Sequence, residues 1–230
     1  KNWNPSDDAF LTAAYSAQDI RGKAKNKQAL QQRLGLPEND KVLLLGLVGR
    51  LVEQKGIDLL LANADKLLTL PVQLALLGSG QAKYESALKD LAKRYPEKFG
   101  IQIGYDEGLA HQIEAGADVF LMPSRFEPCG LNQLYSLRYG TPPIVHRVGG
   151  LADTVIDADK QNLAKKPATG FVFDQPTPEA LMKALQRALS LYANRTQWQQ
   201  LMQTAMKQEV SWKASAQHYL ALYKELMKIA

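Results

Sequence analysis

The sequence is short of cysteine and of long apolar stretches. Cys129 is the only cysteine among 230 residues, so an internal disulfide framework is excluded. That scarcity is typical of a reducing compartment. No apolar run approaches the roughly 20 residues of a membrane-spanning helix, and no signal-peptide pattern occurs, so we expect no membrane partner.

Several signatures of nucleotide and metal sites are also missing. The glycine spacing of a P-loop does not occur, and no G-x-G-x-x-G follows the first predicted strand. The three histidines and the one cysteine lack the spacing of zinc ligands. We therefore expect no metal site and no bound cofactor.

The composition is that of a globular protein with a basic balance. Hydrophobic residues make up 46%, charged residues 22%, and the formal net charge is +5. The charge is compatible with scattered surface lysines, a nucleic-acid surface or a site for a phosphorylated small molecule. The basic residues of 21–33 and 160–166 are not interleaved with aromatics, which argues against a nucleic-acid partner.

Short apolar strands alternate with helical patterns along the chain, which predicts an α/β fold of Rossmann-like type with a parallel sheet and helices on both faces. The predicted strands are 41–49, 72–78, 99–105, 118–123, 142–146 and a possible edge strand at 171–173. Helices are predicted at 55–70, 84–96, 107–117 and 130–140, with another starting at 149.

The two ends of the chain lack strong strands. We expect one basic helix, 22–36, in a leading segment 1–40, a polar loop at 158–170, and three helices within 177–230. The large apolar side chains of the last three helices are expected in the core rather than at a cofactor. They are Trp198, Leu201, Tyr219, Leu222 and Tyr223.

Ligands of such folds bind beyond the carboxyl ends of the strands. This rule selects one rim of candidate residues, each following a predicted strand. They are Arg50, the glycines and serine of 78–80, Tyr105, the segment 124–130 and the segment 146–150.

Arg50 and Lys55 flank the turn after the first strand. Arginine offers a bidentate fork and lysine a point charge, so the pair could neutralise a diphosphate. The alternative is that both are solvated loop cations.

The segment after the fourth strand combines a carboxylate, a cysteine and a glycine before a helix. The backbone amides of Gly130, Leu131 and Asn132 are placed to attract a phosphate at the helix N-terminus. Glu127 would repel a phosphate and suits sugar hydroxyls better, although it could also cap the helix. No cysteine-enzyme signature surrounds Cys129, so a nucleophilic role there is the weaker interpretation.

Three strings resemble those of bacterial glycogen synthases and plant starch synthases, which are retaining glucosyltransferases of the GT-B fold. They are "GRLVEQKGIDLL" (49–60), "PSRFEPCGLNQLYSLRYGTPPIV" (123–145) and "GGLADTV" (149–155). The resemblance extends in the correct order from "WNPSDD" (3–8) to "SWKASAQHYLALYKEL" (211–226). It implies that residues 1–230 form the C-terminal, donor-binding half of a GT-B fold.

The resemblance also implies roles for residues of the rim. Arg50 and Lys55 would hold the diphosphate of ADP-glucose, and the amides of Gly130 and Leu131 its distal phosphate. Glu127 would accept hydrogen bonds from the glucose hydroxyls. Asn132, Gln133 and Tyr135 would lie near nucleotide or sugar, and Tyr105 on the adenine. Arg50, Lys55 and Glu127 are thus the catalytic candidates, with no metal required.

Two positions depart from related enzymes. Tyr135 stands where many GT-B enzymes carry a second glutamate, so ribose recognition must differ from that of the wider group. Val148 stands where the family commonly has threonine, which removes a side-chain hydroxyl.

The resemblance implies a partner domain that is not in this sequence. Family members are roughly twice as long, and their N-terminal domain binds the α-1,4-glucan acceptor. We expect the donor domain alone, which binds ADP or ADP-glucose and transfers little glucose by itself. The alternatives are a nucleotide- or glucan-binding module without catalysis and a related sucrose-type transferase. The family implies the bacterial cytoplasm or a plastid stroma.

Overall fold

The computed structural model describes residues 3–210 and 212–229, without the side chains of residues 213, 214, 218, 228 and 229. The strands are β1 (Leu43–Leu51), β2 (Val72–Gly80), β3 (Phe99–Ile103), β4 (Val119–Met122), β5 (Pro143–His146) and β6 (Phe171–Phe173). The helices are α1 (Arg21–Arg33), α2 (Ile57–Thr69), α3 (Ala82–Arg94), α4 (Glu107–Gly116), α5 (Asn132–Arg138), α6 (Gly149–Thr154), α7 (Lys160–Lys165), α8 (Pro178–Tyr192), α9 (Arg195–Met206) and α10 (Trp212–Ile229).

All six strands form one parallel sheet in the order β3-β2-β1-β4-β5-β6. The register aligns Leu45 of β1 with Leu74 of β2 on one side and with Val119 of β4 on the other. This confirms the predicted α/β class and the parallel sheet. From β1 the chain adds β2 and β3 on one side of the sheet and then β4, β5 and β6 on the other. The strand order therefore reverses between β1 and β4.

The residues of β1 alternate between two cores, one on each face of the sheet. Leu43, Leu45 and Leu47 belong to the larger core, which is shared with α2, α8 and α9. Leu44 points to the opposite face, where α1, α4 and α6 pack. A strand buried on both faces needs a continuous apolar run, which is why leucine dominates β1.

Two expectations for the C-terminal half are wrong. The segment 158–170, expected to be a polar loop, contains α7, whose first turn is capped because the Asp159 carboxylate accepts a hydrogen bond from the Asn162 amide. Tyr219, Leu222 and Tyr223 of α10 are 59%, 49% and 59% exposed, whereas Trp198 and Leu201 of α9 are buried as expected. The period of a helical pattern shows which face is apolar but not whether another element covers it.

The predicted basic helix near the N-terminus is α1, and two of its lysines are buried. The Lys23 ammonium donates to the carbonyls of Ala115 and Tyr139 and to the Thr141 hydroxyl at 2.9, 3.2 and 2.6 Å. Lys27 forms a buried ion pair with Asp118 at 2.6 Å. Part of the basic charge of α1 therefore fastens this helix to the sheet instead of facing solvent.

None of the described helices is both long and apolar enough to cross a lipid bilayer.

Candidate functional site

A cleft opens where the carboxyl ends of β1 and β4 diverge, at the reversal of the strand order. Its lining brings together residues from the end of β1, the turn that follows it, and the loop between β4 and α5. They are Leu47, Val48, Gly49, Arg50, Lys55, Leu121, Met122, Ser124, Glu127, Gly130, Leu131 and Asn132. Parallel α/β sheets bind their ligands at this point of the topology.

The turn after β1 is held tightly against the end of β4. A 3₁₀ turn, Glu53–Lys55, is followed by Gly56, whose φ of +70° is unfavourable for other residues. A β-carbon at Gly56 would lie 2.1 Å from the carbonyl oxygen of Pro123, so only glycine allows this approach. The approach brings Lys55 to the loop that carries Glu127.

Lys55 and Glu127 form an ion pair across the cleft, between the Lys55 ammonium and Oε2 of Glu127. Glu127 is only 7% exposed, and the Ser124 hydroxyl also donates to its Oε2 at 3.3 Å. The Ser124 carbonyl lies 2.9 Å from Nδ1 of His146 on β5. Glu127 is therefore held from two sides in a defined position, with its carboxylate facing a cation.

Arg50 is exposed at the mouth of the cleft, and its guanidinium donates to Oε1 of Gln54 at 3.1 Å. Arg50 and Lys55 thus present two positive groups on one wall. The arrangement can neutralise a diphosphate, since arginine and lysine beside a partly desolvated anion give strong charge-assisted hydrogen bonds.

The start of α5 forms the facing wall. Leu131 precedes the helix, and no side chain of the described residues caps its first turn. Asn132 donates from its amide to the Val48 carbonyl at 2.9 Å, which ties α5 to β1. Gly130, with φ of +76°, makes the sharp bend that turns the chain into the helix.

Three residues predicted to bind lie outside the cleft lining. Tyr105 follows β3 at the same edge of the sheet and is 87% exposed. Gln133 is fully buried and donates to the carbonyls of Cys129 and Gly130 at 2.9 and 3.2 Å, so it supports the bend below the cleft. Tyr135 stacks on Trp3 with ring centroids 4.2 Å apart. Their contact with a ligand stays a prediction.

Cys129 is exposed, and the two histidines that could have served it as a base, His111 and His146, contact other residues. Nδ1 of His111 pairs with Asp8 at 2.7 Å, and Nδ1 of His146 with the Ser124 carbonyl. The described residues contain no group of three or more acidic, histidine or cysteine side chains that could hold a metal ion.

Sequence reasoning missed the contacts that join the two walls. Gln54, Asp58 and Arg125 lie in the strings singled out above, but the contacts that they make between the turn after β1 and the loop after β4 are visible only in three dimensions. Asp58 and Arg125 form an ion pair between the turn region and the loop. The one sign of these contacts in the sequence was Arg125, a charged residue between the end of β4 and the candidate carboxylate Glu127.

The chain resembles known proteins over nearly its whole length. A family model described as "Glycosyl transferases group 1" matches residues 26–203. A glycogen synthase of Thioalkalivibrio sulfidiphilus is 56% identical, with 99% of this chain and 47% of that protein aligned. Glycogen synthase 2 of Nitrosococcus oceani is 53% identical over 99% of this chain and 46% of its own length.

A solved structure is similar as well. The catalytic domain of Starch Synthase IV from Arabidopsis thaliana, bound to ADP and acarbose, superposes with a TM-score of 0.89 at 36% identity. The match covers 97% of this chain and 46% of that one. The chain spans about half the length of the curated relatives it matches.

Proposed function

Because the chain belongs to the group 1 glycosyl transferase family, we propose that it is the donor-binding half of a glycogen or starch synthase. The observation that carries the proposal is the meeting of Arg50, Lys55 and Glu127 at the reversal of the strand order. Two cations and one buried carboxylate match the two parts of a sugar nucleotide: an anionic diphosphate and a neutral sugar rich in hydroxyls.

The donor in this proposal is ADP-glucose. Arg50 and Lys55 bind its diphosphate, and the amides at Gly130 and Leu131 receive the distal phosphate. Glu127 accepts hydrogen bonds from the glucose hydroxyls. The ADP bound to the starch synthase structure supports the choice of nucleotide.

The whole enzyme would transfer glucose to the non-reducing end of an α-1,4-glucan with retention. The bond between glucose C1 and the phosphate oxygen breaks, the acceptor hydroxyl forms the new glycosidic bond, and its proton passes to the departing phosphate of ADP. Arg50 and Lys55 stabilise the charge that develops on ADP, which is the kind of interaction that contributes most to such reactions. Glu127 positions the sugar.

The small volume of the cleft supports a chain that binds nucleotide without efficient glucose transfer. The cleft holds about 90 Å³, whereas pockets for drug-sized ligands hold about 300–1,000 Å³. This chain therefore supplies only part of a complete donor site, and we expect it to bind nucleotide while transferring little glucose. The same observation favours the second candidate, a nucleotide-binding module without catalysis of its own.

The test is calorimetric titration of the chain with ADP, ADP-glucose and UDP. We expect saturable ADP binding that Arg50→Ala with Lys55→Ala abolishes, unchanged when a chelator removes divalent ions. Lys93→Ala with Arg94→Ala removes the same charge from the exposed end of α3 and is the matched control. ADP binding that survives the first pair, or is lost equally in the second, would contradict the proposal. Glucose transfer to a glucan that is measurable in the parent chain and lost in Arg50→Ala with Lys55→Ala would favour the first candidate, because the second has no catalysis of its own.

A further inference from the structure

The Gln54 side chain, just outside the cleft lining, bridges Arg50 and the loop that carries Glu127. Its Oε1 accepts a hydrogen bond from the Arg50 guanidinium at 3.1 Å. Its Nε2 donates to the Phe126 carbonyl at 3.0 Å. The orientation of the amide is determined by its partners, because a guanidinium can only donate and a carbonyl can only accept.

The backbone of Gln54 makes a third contact with the same loop. Its carbonyl accepts from the Arg125 amide at 2.8 Å, so Gln54 holds both residues that precede Glu127. Two residues that follow Gln54 also contact this loop: Lys55 pairs with Glu127, and Asp58 pairs with Arg125. Residues 54–58 thus hold residues 125–127 at successive points, and Gln54 is the one that also contacts Arg50.

We propose that Gln54 is a positioning residue, which fixes the distance and orientation between the Arg50 guanidinium and the loop that carries Glu127. The inference rests on the proposed function. Glutamine suits the position because one terminal group accepts and the other donates. Glutamate cannot donate to the carbonyl, methionine does neither, and asparagine is one methylene shorter than the span requires.

Gln54→Met tests the assignment, since methionine keeps the length of the side chain and removes both hydrogen bonds. We expect ADP to bind about tenfold more weakly, the size of one hydrogen bond to a charged group. Gln112→Met is the matched control. Gln112 also accepts from an arginine, Arg33, at 2.7 Å and donates to a phenylalanine carbonyl, that of Phe10, at 3.0 Å. Unlike Arg50, its partners Arg33 and Phe10 do not line the cleft, so replacing Gln112 should leave ADP affinity unchanged.

The same substitution in an Arg50→Ala background separates positioning from a general structural role. If Gln54 acts through Arg50, Gln54→Met should change ADP affinity by less than about twofold once Arg50 is gone. An equal loss in both backgrounds, or no loss in the parent chain, would overturn the assignment while leaving the proposed function intact. A parent chain that does not bind ADP would refute the proposed function and this assignment together.

Discussion

Replacing Glu127 by glutamine should strengthen ADP binding and weaken the preference for the sugar nucleotide. The ion pair with Lys55 involves side chains that are 10% and 25% exposed, so the diphosphate must compete with a partly desolvated carboxylate for this cation. Desolvation and screening reduce the net contribution of such a pair to about 1 kcal/mol. Glu127→Gln removes the competitor, and ADP should therefore bind about fivefold more tightly.

ADP-glucose should not share this gain. A neutral amide replaces the charge-assisted hydrogen bonds to the glucose hydroxyls, which cost about 1.5–3 kcal/mol to lose. The ratio of ADP-glucose affinity to ADP affinity should fall by about tenfold or more.

Calorimetric titration at pH 7 measures both affinities. Glu53→Gln removes the same charge from the adjacent turn, outside the cleft lining, and should change ADP binding by less than about twofold at physiological salt. Weaker ADP binding by Glu127→Gln, or an equal gain in the control, would refute the competition argument.

Two further substitutions test the bend below the cleft and the buried end of α1. Gly130→Ala should lower stability by about 1–3 kcal/mol and impair ADP binding, because φ is +76° and the new β-carbon would lie 2.4 Å from Oε1 of Gln133. Gly35→Ala, with φ of +68° and no described atom within 4 Å, should cost only the backbone strain and leave ADP affinity unchanged. Burial lowers the pKa of Lys23 to about 7. The carboxylates of Asp118 and Glu114 oppose this shift, and the positive charge of Lys27 adds to it. Between pH 7 and 10, residue 23 then carries a proton in the unfolded chain but not in the folded chain. The free energy of unfolding of the wild type, measured with denaturant, should therefore rise with pH relative to that of Lys23→Met, by up to about 1 kcal/mol per pH unit. If the two free energies change with pH in parallel, the lowered pKa of Lys23 is contradicted.

Local sequence patterns predicted the elements of the sheet well. Leucine-rich runs with no polar face indicate strands buried on both sides, and β1 and β2 are such strands. The same patterns could not predict what covers a helix. Trp198 and Tyr219 both lie in apolar helical stripes, yet one is 3% and the other 59% exposed. The helix α7 was missed because its six residues are too few to show a period.

The candidate site was predicted at the level of residue types and rim positions, but not at the level of pairings. The rule of the carboxyl ends places Arg50 and the segment 124–130 on one edge. The hydrogen bond from Gln54 to Phe126 joins residues 72 positions apart, and the Asp8 contact with His111 spans 103. A single sequence carries no local signal for such partners, because they depend on how loops approach after the sheet has formed.

In the proposed function, nucleotide binding and glucose transfer differ in how strongly they depend on excluding water from the open side of the cleft. Two unit charges 4 Å apart interact by about 1 kcal/mol in water and by about 4 kcal/mol at the effective dielectric of a protein surface site. In the proposed function, Arg50 and Lys55 attract ADP even in a cleft that water reaches, because ADP is charged before the reaction. In the proposed function, the charge that develops as the glucosyl bond breaks gains the further 3 kcal/mol or so per cation only as protein replaces the water beside it and lowers the effective dielectric. A gain of 3 kcal/mol is about a hundredfold in rate. A domain that closes over the cleft would therefore raise the rate of transfer by roughly 10⁴ through these two residues.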